Sequence, residues 1–278
     1  MKTTHTAQSW TELLDCYSVI ENKMAKLKQE RSKRFKTASA DFGYPLFRGQ
    51  SNANWELTTT LERELERQTS PALTLRAYHS NYVRPAYNCI SGFNEKHWTF
   101  QTKADCSYIA LHNHKVPNYS FLAYLRHHGF PSPLLDWTTS FYLATFFAFQ
   151  DYTSADQVAI YWYQEKAGKG KDASSITPRI AHLARWIAAH RRHVLQQSEY
   201  TIAFKKDVGG EATLIPHSDV FKPYPADRDM LFKIVMPASA RKSVLQELFK
   251  MNINSYSVYQ TEDSLVKSVA YRLFNDRY

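Results

Sequence analysis

Apolar positions along the 278-residue chain change period several times, and each change marks an element. Trp10, Leu13, Leu14, Tyr17, Ile20, Met24 and Leu27 recur at helical spacing. Ser9 and Glu12 stand before that stripe in the order of a capping box. The pattern predicts an amphipathic N-terminal helix. "YPLFRG" (44–49) then reads as a short strand with a turn, and residues 60–68 as a helix. Ser70-Pro71 has the cap-and-proline order of a helix start, with Pro85 kinking or ending that helix. No period is visible over 98–117.

Asn118 is placed to cap "YSFLAYLRHH", and Gly129 to stop it. "SPLLDW" (132–137) reads as a buried strand. "TTSFYLATFFAFQ" is apolar on nearly every face, as a helix deep in a core is. "QVAIYWY" is a strand and "EKAGKGKDASS" a polar loop. Thr177-Pro178 opens a helix with Ile180, Leu183, Ala184, Ile187 and Val194 on one side. After it come the strands "EYTIAF" and "DMLFKIVM", the helix "SARKSVLQELFKM", the strand "NSYSVY" and a closing helix "TEDSLVKSVAYRLF". Strands and helices mix without a regular β-α repeat, which predicts an α+β fold: a mixed sheet core with flanking helices. The division expected is 1–40, an amphipathic helix with a basic arm, and 41–278, the main domain.

Composition allows a sizeable core, with 44% apolar and 14% aromatic residues. Only 8 Gly and 11 Pro argue against low complexity. The net charge of +9 attracts phosphates, although an excess of this size also serves solubility. Lys23, Lys26, Lys28, Arg31, Lys33, Arg34 and Lys36 form either a phosphate-attracting arm or a solvated helix end. Cys16, Cys89 and Cys106 are widely spaced, so neither a disulfide framework nor a cysteine zinc site is indicated. The N-terminal stretch lacks the apolar core of a secretory signal, and "FYLATFFAF" is half a membrane span. These features predict a soluble, cytoplasmic protein with no membrane partner.

Three constellations can carry chemistry. In Arg48-Gly49-Gln50 the arginine offers a planar fork that suits phosphate or carboxylate oxygens. Gly49 permits a close backbone approach to a ligand or a turn. The structural alternative pairs Arg48 with Glu62 or Glu64. In "LRHHGFPSPLLDWTTS" (125–140), Asp136 ends an apolar strand and needs a partner, for which Arg48 is a candidate. Thr138, Thr139 and Ser140 stand at a helix start, where hydroxyls and free N–H groups form an anion site or simply cap the helix. His127 and His128 suit the last turn of their helix. The third constellation is Gln197-Ser198-Glu199 at the head of a strand. No phosphate-loop pattern and no Gly-x-Ser-x-Gly elbow are present. His112-x-His114 and His190-x-x-His193 lack a visible third ligand, so no metal is expected.

"FRGQSNANWELTTTLER" followed by "RHHGFPSPLLDWTTSFYLATFFA" resembles the FRG domain family, named for its Phe/Tyr-Arg-Gly motif. The likeness runs over about 44–270. Arg126 stands where that family usually has Gln, and Ser132-Pro133 where it usually has Thr-Arg. A weaker likeness is to arginine-type ADP-ribosyltransferases, in the order Arg48, Thr138-Thr139-Ser140, Gln197-Ser198-Glu199. That likeness implies a split sheet and NAD as substrate, with Arg48, Ser140 and Glu199 catalytic. It implies Gly49, Gln50, His127, Asp136, Trp137, Thr138 and Tyr142 around the cofactor, Trp137 or Tyr142 stacking on nicotinamide. It implies a protein or nucleic-acid acceptor and the role of a toxin or defence effector. The alternatives are a nucleic-acid-binding or nucleic-acid-processing protein and an inert recognition domain.

Overall fold

A computed structural model describes residues 2–34, 42–93, 98–100, 116–165, 177–183, 187, 191–221 and 229–275. Eight strands form one mixed sheet: β1 (Lys2–Thr6), β2 (Pro45–Gln50), β3 (Leu135–Thr138), β4 (Gln157–Gln164), β5 (Arg179–His182), β6 (Ser198–Lys206), β7 (Ala212–Leu214) and β8 (Met230–Pro237). Their order is β1-β8-β4-β2-β3-β6-β5, with β7 also paired to β6. β1 runs parallel to β8, and the other pairs are antiparallel. The fold is α+β.

Among the described residues ten α-helices flank the sheet: α1 (Trp10–Arg34), α2 (Thr60–Arg67), α3 (Leu75–Tyr78), α4 (Arg84–Ser91), α5 (Tyr119–His127), α6 (Phe141–Phe149), α7 (Arg191–Leu195), α8 (Arg241–Lys250), α9 (Ser255–Tyr259) and α10 (Glu262–Asn275). The period of two along each strand divides the core. Phe47, Ile160, Trp162, Phe232 and Ile234 face α1, α6 and α8. Leu46, Ala159, Tyr161, Tyr163 and Leu231 face the other way, under Ala53 and Leu57. Beyond them α2–α5 cover Tyr200, Ile202 and Phe204. Leu13, Ile20 and Met24 of α1 are buried in the first cluster, so this half of the helix belongs to the main core. Among the described residues no helix is long and apolar enough to cross a membrane.

Several elements depart from the sequence pattern. β1 was not legible, because "KTTHT" carries no apolar alternation and is held by parallel pairing to β8. Ser70-Pro71 starts no helix. Thr74 caps α3 instead, accepting from Ala77 N at 3.1 Å, while Leu73 O accepts from Leu214 N at 2.9 Å along β7. Pro85 neither ends nor breaks the run, since a π turn over His79–Val83 loosens the ladder before it and α4 follows. Residues 179–182 form β5 because β6 offers a strand edge to pair with, which outweighs the helical spacing. Val194, expected on that helix's inner side, is exposed. "NSYSVY" is the helix α9, for which Asn254 and Ser257 form a capping box. Residues 101–115, 166–176, 184–186 and 188–190 lie outside the described residues, and with them His112, His114, His190, the polar loop and part of the expected helix.

Candidate functional site

β2 and β3 are neighbours in the sheet but share a single paired position, Phe47↔Thr138. Beyond it they part, and a cleft of about 810 Å³ opens there. Its walls include Arg48, Gly49 and Gln50 of β2, Asp136, Trp137 and Thr138 of β3, and His127 at the end of α5. Arg48 spans the gap: its Nη1 donates to Asp136 O at 2.8 Å. This answers the expected Arg48–Asp136 contact with a difference, since the backbone carbonyl takes the bond. The Asp136 carboxylate forms its ion pair with Arg126 Nη2. The alternative partners of Arg48 are engaged elsewhere: Glu62 in the capping box of α2, Glu64 with Arg67 at 2.8 Å.

Arg63 of α2 joins the same wall and donates Nη1 to Thr58 O at 3.0 Å. Three guanidiniums thus surround one carboxylate. Burial draws the Arg48 guanidinium down to about 10; Asp136 opposes this, and Arg126 and Arg63 add to it by repulsion. Arg63 is lowered by burial and by Arg126 in the same way. Arg48 remains cationic at neutral pH. A guanidinium carries several N–H donors in a fixed fork, yet among the described residues each of these makes a single hydrogen bond. Among the same residues the Arg48 and Arg126 Nε atoms are buried without a partner. Over the whole cleft four arginines meet four carboxylates, but three of the four cations gather at one end, around Asp136. The far end holds Phe147, Gln150, Asp151, Arg192 and Tyr259. There Tyr259 donates to Gln150 Oε1 at 2.7 Å.

His127 Nε2 lies 2.9 Å from the Tyr200 hydroxyl, whose pKa burial pushes well up. His193 stacks on the same tyrosine ring at 5.7 Å. Ser198 reaches the cleft from β6. The register of β3 on β6 pairs Thr138 with Ser198 and Trp137 with Glu199, and Thr139 N donates to Gln197 O at 3.1 Å.

Ser140, Tyr142 and Glu199 do not line the cleft. The Ser140 hydroxyl caps α6, accepting from Leu143 N at 3.3 Å. Tyr142 turns toward α1, its ring 6.2 Å from Trp10. Glu199 is one residue from Ser198, so its side chain falls on the opposite face of β6. There it is buried and lies 3.0 Å from His182 Nε2, which Tyr44 also contacts. Trp137 borders the cleft from a buried position, its Nε1 donating to Thr201 Oγ1 at 2.7 Å. Gly49 serves packing: a Cβ there would lie 1.9 Å from Ala144 O.

Arg63, Trp55, Gln150 and Arg192 were not singled out as site residues. Arg126 was noted only as a departure from a family pattern, yet it supplies the ion pair to Asp136. Its signal was a cation on the helix turn just before "GFPSPLLD". For Arg63 the only signal was its helix following the Arg-Gly strand. Among the described residues no group of metal-ligating side chains could hold an ion.

No curated protein and no solved structure matches the chain. Residues 44–157 match the family model described as FRG domain. That segment, similar to the FRG domain, carries β2, β3 and all three arginines around Asp136.

Proposed function

We propose that the cleft binds a phosphate-bearing small molecule. The observation that carries this reading is the convergence of Arg48, Arg63 and Arg126 on one carboxylate, each with donors to spare. Arginine forks suit the paired oxygens of a pyrophosphate. The cleft volume of about 810 Å³ lies within the range of small-molecule and cofactor sites. NAD is the substrate that joins this chemistry to the transferase reading: its pyrophosphate lies against the arginines and its ADP-ribose passes to a protein or nucleic-acid acceptor. That second half draws less support. Glu199 stands outside the cleft, so the stabilising carboxylate for nicotinamide departure has to come from its walls, where Glu56, Glu66, Asp136 and Asp151 stand. A nucleic-acid acceptor suits the exposed lysines Lys26, Lys28 and Lys33 on the outer half of α1.

Equilibrium dialysis with NAD, together with assay of free nicotinamide, tests both halves. Saturable NAD binding is expected, weakened about tenfold or more in Arg63→Gln and in Arg126→Gln. Nicotinamide release with an acceptor supports transfer. Binding without release under any acceptor leaves a recognition domain. Absence of binding by the wild-type protein removes the reading.

A further inference from the structure

The loop between β2 and α2 displays one aromatic ring. Ala53 and Leu57 of this loop are buried, while Trp55 between them is 55% exposed. The exposure does not come from a loose backbone. Ala53 N donates to Gln157 O at 2.8 Å, and Lys233 Nζ donates to Ala53 O. Asn54 N donates to Asn52 Oδ1 at 2.8 Å, and Trp55 N to Asn52 O at 3.3 Å. The Tyr161 hydroxyl donates to Trp55 O at 3.4 Å, and Gln50 Nε2 to Glu56 O at 3.4 Å. β4, β8 and the loop itself therefore fix the backbone on both sides of the indole.

Trp55 lines the same cleft as the three arginines. The other aromatic side chains there are committed. Phe47 and Trp137 are buried. Phe147 packs against Phe146 and Tyr259. Tyr259 bonds Gln150 and carries Arg192 over its ring at 5.7 Å. The indole of Trp55 makes no ring contact and no side-chain hydrogen bond among the described residues. A large apolar face held half in water costs solvation unless a partner covers it. A planar ring is the partner that a fixed indole suits best, through stacking.

We propose that Trp55 is the seat for the base of a nucleoside phosphate whose phosphates lie on Arg48, Arg63 and Arg126. The proposal rests on the phosphate reading of this cleft and adds the ligand class, a nucleotide rather than a bare or sugar phosphate. Trp55 then acts in place of Trp137 or Tyr142 as the stacking ring.

Titration of the full chain with inorganic pyrophosphate and with ADP separates the two ideas. The wild-type protein is expected to bind ADP about tenfold tighter than pyrophosphate, the scale of one base–aromatic stack. ADP is expected to quench tryptophan fluorescence, and pyrophosphate to leave it unchanged. Trp55→Ala brings ADP down to the affinity of pyrophosphate and leaves pyrophosphate binding as it was. Trp55→Phe restores most of the ADP preference, which a merely structural role for the side chain would not predict. Equal wild-type affinities, or an ADP affinity untouched by Trp55→Ala, overturn the base seat while the phosphate site stands. Failure of the wild-type protein to bind either compound removes both.

Discussion

Gly49 and Glu199 show how a side chain's direction decides between roles that the sequence leaves open. Gly49 sits beside Arg48, so a backbone approach to a ligand was a fair reading. A Cβ at this position would meet Ala144 O at 1.9 Å and Ala148 N at 2.5 Å, both backbone atoms of α6. The glycine lets the helix lie directly on β2, which also brings the end of α6 to the cleft. Gly49→Ala is expected to destabilise the fold by about 1–3 kcal/mol, the usual cost of overpacking. Denaturant unfolding measures this, and a variant as stable as the wild type would show that α6 can move away freely. Glu199 illustrates the same limit. Motif order put it in line with the other two motifs but left its partner, Trp137, and its face unstated, and a strand alternates its faces. Only the register tells that Ser198 reaches the cleft and Glu199 the opposite side. Arg48 was legible as a candidate site residue because its chemistry is specific, and it does line the cleft. Arg63 and Arg126 were not, since a helical arginine is ordinarily a surface charge.

Elements with long, strong periods were legible: α1, α6, β4, β6, β8, α8 and α10 all lie where the pattern puts them. The misreadings are short segments decided by tertiary partners. Residues 179–182 satisfy their backbone against β6, and helical spacing over so few residues has no force against that. "NSYSVY" alternates like a strand, yet Asn254 accepts from Ser257 N at 3.1 Å and turns the chain into α9. Ser268 of α10 donates to the same Asn254 Oδ1 at 3.1 Å and accepts from Tyr256 N at 2.8 Å, which ties α9 to α10. One side chain thus starts a helix and docks it, and the helix ends in Tyr259 at the far end of the cleft. Asn254→Ala is expected to cost about 1 kcal/mol, the typical value of an N-cap. Hydrogen exchange should rise over 255–259 while α6 stays protected. Unchanged exchange in α9 would mean that packing of Val258, buried in the core, holds the helix without its cap.

Among the described residues His79, His193 and His217 are buried, and His79 and His217 lie in different layers. His79 lies in the π turn before α4, 4% exposed, with neither ring nitrogen hydrogen-bonded among the described residues. His217 is fully buried behind Trp137, its Nε2 2.9 Å from Thr201 Oγ1 and its Nδ1 unpartnered. Burial lowers His79 to about 4. Burial, then repulsion from Arg48, lowers His217 to about 3. Both are neutral in the fold at pH 7, and both take up a proton near pH 6.5 once the chain unfolds. Between pH 6.5 and 4 the unfolded state therefore binds more protons than the native one. Linkage makes stability rise with pH in that window. The stabilising contribution is complete above 6.5 and is lost as pH falls toward 4, at up to about 1.4 kcal/mol per pH unit for each histidine. Glu62, pushed up by burial, works in the opposite direction within the carboxylate range and softens only the acid end. Denaturant midpoints at pH 7, 6 and 5 are expected to fall step by step. His79→Leu should remove about half of the slope, because an uncharged side chain of similar bulk has no proton to gain. A midpoint constant from pH 7 to 5 would mean that both rings are protonated in the folded protein. For His217 that would place a cation behind Trp137, within the electrostatic reach of Arg48, and add to the positive charge at that end of the cleft.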